Sequence, residues 1–439
     1  MRRGGLVIAA PASGSGKTLL TLGLLRHLVR RGVSVASAKA GPDYLDPTFH
    51  AAASGRVCLN LDLWAMREET LTSLVGGLEE GADIVLCEGA MGLFDGTGAD
   101  GEEGSAAALA RALGWPVILV VDARGQGASA AALLRGFAWH GEGVRLAGVV
   151  FNRVAGERHA ALLEGAVARH LPQLLCLGAL PADPALDMPS RHLGLVPAGE
   201  IGEAEALIER AAACIGAAVD IDRLIGLARP AALPPAVAGP PLPPLGRHIA
   251  VAKDAAFVFL YPAVLEAWRR AGVSLSFFSP LAGEPPEPSA DAVYLPGGYP
   301  ELHAARLAAA QGFLAGVRRA GAEGKTVYGE CGGYMVLGES LLDADGRAHP
   351  MAGLLPLWTS FAERRRHLGY REVALIAAGP LGPAGAVFRG HEFHYATVLR
   401  EGGADSLFRA NDAQGGDLGP IGLRRGNVAG SFVHLIDRR

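Results

Sequence analysis

The stretch Tyr328-Gly-Glu-Cys331-Gly-Gly-Tyr-Met335 decides the fold of the second half of this 439-residue chain. The segment Lys325-Thr-Val-Tyr328 predicts a short strand, and the residues after Cys331 predict a helix. A cysteine on a glycine-flanked turn between strand and helix is typical of a nucleophile elbow. There the helix N-terminus favours a thiolate, and the glycines let backbone N–H groups approach an oxyanion. The alternative is a buried structural cysteine.

Two other segments of this half contribute candidate partners for the cysteine. His434 lies at the end of a short apolar run and is expected to act as the base. The alternating run 292–298 ends in two glycines, and a helical segment is predicted from Leu302 to Ala320. The alternative for His434 is a structural role, as a buried core histidine whose ring is hydrogen-bonded.

These motifs resemble those of the class I (triad) glutamine amidotransferases. The resemblance places Cys331 on the nucleophile and His434 on its base. It places the oxyanion hole on the loop that contains Gly298 and on the backbone after the cysteine, at Gly332. It therefore implies an α/β domain that releases ammonia from L-glutamine through a thioester.

One position departs from that family, which usually carries a glutamate two residues after the histidine. Here the position is Ile436. Asp437 is adjacent, but neighbouring side chains of a strand point to opposite faces. The resemblance thus implies a Cys–His dyad, and the sequence leaves open whether Asp437 assists His434.

The N-terminal half begins with a predicted buried strand, followed by Ala12-Ser-Gly-Ser-Gly-Lys-Thr18 and a Leu-rich helix. In a phosphate loop of this kind, backbone N–H groups and a helix N-terminus hold phosphate. Lys17 is expected to reach the β/γ-phosphates of ATP, and Thr18 to bind Mg²⁺. Pro11 stands where the strict Walker pattern has glycine. The predicted ATP-binding residues of the loop are Ser13, Gly14, Ser15, Gly16, Lys17 and Thr18.

Further apolar runs at 82–88, 115–122 and 146–152 predict parallel strands. Glu88 ends the first of them, where a magnesium ligand belongs beside the phosphate loop. Asp95, in the loop that follows, is either a further acidic site residue or a turn residue. Asn152, taken alone, is a cap or turn residue. Resemblance to the dethiobiotin synthetase-like ATPases instead implies that Asn152 binds the adenine of ATP.

A dense polar loop, Lys39-Ala-Gly-Pro-Asp43-Tyr44-Leu-Asp46-Pro-Thr-Phe-His50, follows a predicted strand at 33–38. Its Gly-Pro and Asp-Pro pairs alone predict only turns. The loop resembles the Gly-Pro-Asp-Tyr-Ile-Asp-Pro signature of the cobyrinate (or hydrogenobyrinate) a,c-diamide synthases. Four further segments match that family: 60–64, 87–96, 190–195 and 390–395. The resemblance implies that Asp43, Tyr44 and Asp46 orient a substrate carboxylate, with Asp46 a third ligand of Mg²⁺.

This resemblance spans nearly the whole chain and implies its domain organisation. We expect a dethiobiotin synthetase-like P-loop domain with a doubly wound parallel sheet at 1–228 and a class I amidotransferase domain at 248–439. The segment 229–247 carries seven prolines, which predicts an extended, semi-rigid linker.

A phosphate loop fused to a glutaminase implies an ATP-dependent amidoligase, because a carboxylate reacts with ammonia only after activation. By resemblance the substrate is a corrinoid polycarboxylic acid, cobyrinic or hydrogenobyrinic acid, amidated at its a and c acetates. Nickel-sirohydrochlorin or another tetrapyrrole is an alternative for the same chemistry. A ParA-like ATPase switch is an alternative of another class. Ammonia route and amidation order stay open.

The motif His391-Glu-Phe-His394 has histidines three apart, whereas the zinc-protease helix needs them four apart. A strand explains it better, and we expect these residues to line the glutaminase pocket or the ammonia route rather than a zinc site. The basic run 363–367 is typical of a solvated face.

Composition sets outer limits on function. A net charge of −4 argues against nonspecific nucleic-acid binding. No uncharged apolar run is long enough to span a membrane, and the start leaves no room for a signal peptide before the first strand. Five scattered cysteines make no disulfide framework. We therefore expect a cytoplasmic protein, and a homodimer is compatible with the sequence.

Overall fold

The computed structural model describes residues 4–98, 101–186, 201–234 and 236–439, with two compact units. One unit comprises Met1–Trp64 with Glu68–Val237, and the other comprises Ala65–Arg67 with Ala238–Arg439. The family segment 190–195 lies outside the described residues.

The first unit alternates strands and helices. Its strands are β1 (Gly5–Ala9), β2 (Val35–Ala40), β3 (Leu59–Leu61), β4 (Ile84–Glu88), β5 (Val117–Asp122), β6 (Leu146–Val154) and β7 (Leu175–Pro181). Its helices are α1 (Lys17–Arg30), α2 (Asp46–Ser54), α3 (Glu68–Glu80), α4 (Ala106–Leu113), α5 (Ser129–His140), α6 (Glu157–His170), α7 (Ile201–Ala218) and α8 (Ile221–Gly226).

These seven strands form one parallel sheet in the order β3-β2-β4-β1-β5-β6-β7. The central strands β4, β1 and β5 are apolar up to the acidic residues Glu88 and Asp122 at the carboxyl ends of β4 and β5, as expected for strands that are covered on both faces. Leu6 and Ile8 of β1 share one core with Leu24 of α1 and Ile208 of α7. The predicted doubly wound parallel sheet is confirmed.

The second unit has more strands. They are β8 (His248–Ala252), β9 (Ser274–Phe278), β10 (Ala292–Leu295), β11 (Thr326–Glu330), β12 (Ser340–Leu342), β13 (Ala348–Pro350), β14 (Leu357–Ser360), β15 (His367–Leu375), β16 (Val387–His394), β17 (Thr397–Glu401), β18 (Asp405–Asp412), β19 (Asp417–Arg425), β20 (Val428–Ser431) and β21 (Val433–Arg438). Its helices are α9 (Pro262–Arg270), α10 (Ala304–Ala309), α11 (Gln311–Ala322) and α12 (Gly332–Leu337).

Ten of these strands form a mixed sheet in the order β21-β16-β15-β18-β19-β20-β11-β10-β8-β9. From β20 to β9 the strands are parallel, so β10 and β11 end at the same edge. The other strands of this sheet pair antiparallel. A smaller sheet has the order β13-β12-β14-β17. The predicted amidotransferase-like α/β architecture is confirmed.

The helix predicted from Leu302 to Ala320 is wrong as a single element. The chain forms a 3₁₀ turn at Pro300–Leu302, then α10, and breaks at Ala310 before α11. Leu307 and Phe313 are both fully buried in the same core. A continuous helix turns by about 100° per residue and would point these two side chains in different directions. The break lets both face the core, a tertiary effect that an alanine-rich sequence does not reveal.

The proline-rich segment forms no helix in its described residues, 229–234 and 236–247. In the first unit, Gly5 N–H donates to the Arg229 carbonyl at 2.8 Å. In the second unit, Trp268 Nε1 donates to the Leu242 carbonyl at 2.9 Å, and Leu245 is buried. The segment is therefore anchored at both ends. Among the described residues, we find no helix long and apolar enough to cross a membrane.

Candidate active sites

The phosphate loop joins β1 to α1 by a backbone that only glycine tolerates at one point. Gly16 precedes the helix with φ +105, and a Cβ there would lie 2.1 Å from Nδ2 of Asn152. The helix begins at Lys17, so its first N–H groups have no partner within the helix. Anions bind such groups readily. The structure thus places the predicted residues 13–18 on a loop of the expected form.

Lys17 turns back across this loop. It is buried, and its Nζ donates to the carbonyl oxygen of Met91. Burial lowers the pKa of Lys17, and the positive charge of Lys39 lowers it further. Asp95 accepts the Gly92 N–H at 2.7 Å, which supports the turn interpretation of this aspartate. The loop after β4 therefore closes over the lysine of the phosphate loop.

The three predicted magnesium ligands come together around Glu88, which is fully buried. Thr18 Oγ1 donates to Glu88 Oε1 at 2.7 Å. Lys39 Nζ lies 2.9 Å from Glu88 Oε1 and 2.7 Å from Asp46 Oδ2. His50 Nε2 lies 2.7 Å from Glu88 Oε2. Two carboxylates and a hydroxyl therefore surround a lysine ammonium beside the phosphate loop.

Charge pairing governs the ionisation of this cluster. Burial by itself disfavours every charge in it. The Lys39 ammonium nevertheless holds the pKa of Glu88 below its usual value, and Glu88 and Asp46 raise the pKa of Lys39. Burial, together with the nearby Asp46 charge, raises the pKa of Asp43 to about 6. The pair Glu88–Lys39 is thus ionised.

Two residues of this cluster were not assigned a role from the sequence. His50 was noted only as part of the polar loop, and Cys58 as a scattered cysteine. Cys58 Sγ lies 3.3 Å from His50 Nδ1, so the imidazole is held between a thiol and Glu88. Burial opposes its charge, but Cys58 and Glu88 raise the pKa of His50. The eight-residue spacing of His50 and Cys58 carries no recognised signal.

The predicted substrate residues are partly engaged in shaping their own loop. Asp43 Oδ1 accepts the backbone N–H of Leu45 at 2.7 Å and of Asp46 at 3.2 Å, just before α2. Tyr44 is buried. Asn60 Nδ2 donates to the carbonyls of Gly41 and Asp43, both at 2.8 Å, and so fixes the loop from β3. The turn interpretation of the Gly-Pro-Asp segment therefore has direct support.

Asn152 also lies against the phosphate loop. Its Nδ2 donates to the Ser15 carbonyl at 2.9 Å, and its Oδ1 accepts the Arg153 N–H at 2.9 Å. Arg153 in turn donates to the carbonyl of Gly14 and to Asp122, both at 2.8 Å. The amide thus braces the loop, and its contact with adenine stays a prediction.

The second site is the elbow at Cys331. This residue has φ +48, a left-handed conformation that costs energy for any side chain other than glycine. The chain after the cysteine packs closely on the end of β10, since a Cβ at Gly333 would lie 1.9 Å from the Leu295 carbonyl. Cys331 is 2% exposed, and its Sγ lies 3.6 Å from the Phe393 carbonyl. The predicted elbow geometry is present.

The predicted oxyanion residues are neighbours at this elbow. The loop that contains Gly298 follows β10, the parallel partner of β11. A Cβ at Gly332 would lie 3.0 Å from the Gly298 nitrogen and 2.8 Å from Cδ of Pro300. The backbone at Gly298 and the backbone after Cys331 therefore lie side by side at the elbow, and their role as an oxyanion hole stays a prediction.

His434 reaches the same place from β21. Cys331 N–H donates to the Ser431 carbonyl at 2.8 Å, which fixes the end of β20 beside the elbow. The His434 ring is fully buried, and a Cβ at Gly297 would lie 2.2 Å from its Cε1. The ring of Phe259 packs on it edge to face at 5.9 Å. Cysteine, histidine and glycine loop therefore converge.

Burial decides the protonation of this pair. Burial, with the charge of Glu301 next, raises the pKa of Cys331. Burial, with His391 next, lowers the pKa of His434 well below its usual value. The backbone N–H of Gly332, at the helix N-terminus, lowers the pKa of Cys331 as the sequence predicts, but desolvation outweighs this effect. A neutral thiol faces a site with a neutral imidazole, which suits a base that takes the proton during attack.

Asp437 points to another partner. Its two oxygens accept the backbone N–H and Nε of Arg67, at 2.9 and 3.0 Å, within the second unit. Glu330, directly before the nucleophile, accepts Tyr294 Oη at 2.8 Å and Leu435 N–H at 3.2 Å. Burial raises the pKa of Glu330 to about 7. The Cys–His dyad stays a prediction.

The His391–His394 motif lies on strand β16, as predicted, and runs past the cysteine. Glu392 accepts Arg371 Nε at 2.7 Å and lies 2.9 Å from Nε2 of His394. These contacts lower the pKa of Glu392 to about 2, although burial opposes them. The ligand atoms of His367, Glu392 and His394 lie within 4.8 Å of one another, but Arg371 already neutralises the carboxylate.

Comparisons with known proteins cover both units. Residues 6–196 match the family model of the CobQ/CobB/MinD/ParA nucleotide binding domain. Residues 248–439 match the CobB/CobQ-like glutamine amidotransferase domain.

Curated relatives match over nearly their full length. A hydrogenobyrinate a,c-diamide synthase of Brucella anthropi is 55% identical over 99% of this chain and 98% of its own. The enzyme of that name from Sinorhizobium sp. is 54% identical over the same shares. The one from Rhodobacter capsulatus is 55% identical over 98% of each chain.

Proposed function

Because the chain belongs to the hydrogenobyrinate a,c-diamide synthase family, we propose that it amidates the a and c acetates of hydrogenobyrinic acid with ATP and glutamine. The observation that carries the proposal is the presence, in one chain, of a charged carboxylate cluster at a phosphate loop and a thiol elbow. The relatives' name favours hydrogenobyrinic over cobyrinic acid, and nickel-sirohydrochlorin stays an alternative.

The first unit activates the acid. A carboxylate oxygen of the substrate attacks the γ-phosphorus of ATP, the bond to the β-phosphate oxygen breaks, and ADP leaves. Lys17 neutralises charge that develops on the phosphoryl oxygens. Lys39, paired with Glu88 and Asp46, offsets part of the negative charge of these two carboxylates where the acid and ATP would bind. The product of this step is an acyl phosphate.

The donor set at this site fits Mg²⁺, which prefers oxygen ligands. Thr18 supplies a hydroxyl, and Glu88 and Asp46 supply carboxylates, all joined through hydrogen bonds in one cluster. These residues would hold the ion, and the ion would supply positive charge against the phosphates of bound ATP.

The second unit supplies ammonia. His434 takes the Cys331 proton as sulfur attacks the amide carbon of glutamine, and Gly298 and Gly332 N–H groups hold the oxyanion. The C–N bond breaks, ammonia leaves with a proton from the imidazolium, and water later hydrolyses the thioester to glutamate. Ammonia then attacks the acyl phosphate carbon, and phosphate leaves. A nucleophilic thiol must stay reduced, so we place the reaction in the cytoplasm.

The test is incubation of the purified protein with ATP, glutamine and either hydrogenobyrinic or cobyrinic acid, followed by mass spectrometry. Two carboxyl-to-amide exchanges on hydrogenobyrinic acid are expected. Turnover of cobyrinic acid alone would change the substrate, and ATP hydrolysis with no release of ammonia from glutamine would favour a ParA-like switch. Sedimentation of the same sample tests the expected homodimer.

A further inference from the structure

Glu301 lies next to the glutaminase centre without a place in the reaction described above. It belongs to the 3₁₀ turn Pro300–Leu302, which follows the oxyanion loop. Pro300 packs against the residue after the nucleophile, since a Cβ at Gly332 would lie 2.8 Å from its Cδ. The Glu301 carboxyl is therefore carried by a turn that is packed on the elbow of Cys331.

One oxygen of the Glu301 carboxyl lacks a hydrogen bond to the residues that the structure describes. Within the described part of the chain, its Oε2 is closed off from solvent and has no hydrogen-bond partner. Burial raises the pKa of Glu301 to about 8, against the opposing effects of its own backbone N–H and of the Arg364 charge. The turn that carries Glu301 packs on Gly332, and Glu301 is, after burial, the next influence that raises the pKa of Cys331. A buried polar atom without a partner needs an explanation.

Two other acids near Cys331, Glu330 and Glu392, have hydrogen-bond partners within the chain and serve as a comparison for Glu301. Glu330 accepts hydrogen bonds on both oxygens, from Tyr294 and from the Leu435 N–H. Glu392 is paired with Arg371 and His394. A structural role for Glu301 would call for a comparable donor, because leaving a buried carboxyl unpaired costs free energy. Its donor is therefore expected to come from outside the chain.

We propose that Glu301 binds the α-ammonium group of glutamine and so selects the free amino acid, a role that rests on the thioester reaction proposed at Cys331. When the amide carbon meets the sulfur and the amide oxygen meets the Gly298 N–H, the α-carbon lies a few bonds away. Its ammonium group brings both the positive charge and the N–H donor that Oε2 lacks. Charge-assisted hydrogen bonds of this kind are among the strongest in proteins.

The experiment compares two substrates in the full-length protein. Ammonia release is measured with glutamine and with glutaramate, which is glutamine without its α-amino group. We expect the wild type to favour glutamine by roughly tenfold to a hundredfold in kcat/KM, and Glu301→Gln to lose that preference. In the variant, the KM for glutamine should rise by this factor, while kcat and the KM for glutaramate stay near wild type. Glu266→Gln, on an exposed position of α9, is the matched control.

Three outcomes would overturn the proposal. They are equal use of both substrates by the wild type, an unchanged KM for glutamine in Glu301→Gln, or an equal loss with both substrates. The first comparison needs no variant, so it holds even if Glu301→Gln folds poorly. Failure of the reaction at Cys331 is recognised separately, because Cys331→Ala would then still release ammonia from glutamine.

Discussion

Around Glu88 the first unit buries full charges, whereas the reacting pair of the second unit, Cys331 and His434, is buried in neutral form. Lys39 and His50 compensate Glu88 and Asp46 through contacts of 2.7–2.9 Å. At the elbow, burial keeps a proton on Cys331.

The difference follows from the two chemistries. Phosphoryl transfer concentrates negative charge, and a preorganised set of charges stabilises it. Attack by a thiol on an amide needs a proton transfer, which a neutral thiol and a neutral imidazole can perform. A site of one kind would serve poorly for the other reaction. The contrast can be tested by removing one group from each side.

The largest effect is expected for Cys331→Ala. Glutamine-dependent amidation should fall by roughly 10⁴-fold or more, as for other nucleophiles that act as a unit with their base. Amidation with added ammonium salts should persist, because the first unit is untouched. Amide formation is measured by mass spectrometry with each nitrogen source. Cys214→Ala is the control, and loss of both activities would show that the two sites are not separable in this way.

Lys17→Ala should lower amidation by roughly 10²–10³-fold with either nitrogen source, since one electrostatic group is removed from the transition state. Hydrolysis of glutamine through the Cys331 thioester, measured as glutamate formation, should continue. Lys253→Ala removes an exposed lysine of the second unit and serves as control. If Lys17→Ala amidates as fast as the wild type, phosphoryl transfer at the phosphate loop is not part of the mechanism.

The neutral state of the elbow predicts a simple pH dependence of alkylation. The raised pKa of Cys331 means that its thiolate fraction, and so its labelling by iodoacetamide, grows about tenfold per pH unit. No plateau is expected up to pH 9.0, the ordinary thiol value. Labelling at residue 331 is followed by peptide mass spectrometry. A plateau near neutral pH would reveal a thiolate–imidazolium pair and end the contrast between the two sites.

Sequence patterns predicted what depends on local backbone geometry. The phosphate loop and the elbow are short segments in which glycine positions dictate the turn, so Lys17, Thr18 and Cys331 could be assigned directly. Glu88 could be placed because a parallel strand ends at the ligand-binding edge of the sheet.

What could not be predicted depends on strand order and on desolvation. Lys39 meets Glu88 because β2 pairs with β4, and His50 reaches Glu88 from α2, the helix after β2. No spacing in the sequence reports these contacts. The same holds for Asp437, whose partner is Arg67, far away in the chain. The raised pKa of the nucleophile arises from its burial, and a motif gives no measure of burial.

The smallest effect concerns stability and isolates Glu330, the acid beside the nucleophile. The pKa of Glu330 in the folded protein, about 7, exceeds the ordinary 4.5. Its contribution to the free energy of unfolding is therefore fully present below pH 4.5 and is lost as the pH rises through about 7. Glu330→Gln does not titrate. From pH 5 to pH 9 the unfolding free energy of Glu330→Gln, relative to that of the wild type, should therefore increase by on the order of 3 kcal/mol. Relaxation of the buried site would reduce this value.

Urea unfolding of both proteins at the two pH values measures this gain. Glu392→Gln is the matched control, because the pKa of Glu392, held at about 2 by His394 and Arg371, keeps that acid ionised throughout the range. The difference in unfolding free energy between Glu392→Gln and the wild type should not change with pH. If the Glu330→Gln offset is equally constant, Glu330 is charged at neutral pH like Glu88, and the second site is compensated rather than neutral. The contrast between the two units would then lie in which partners supply the compensation, and not in whether charge is buried at all.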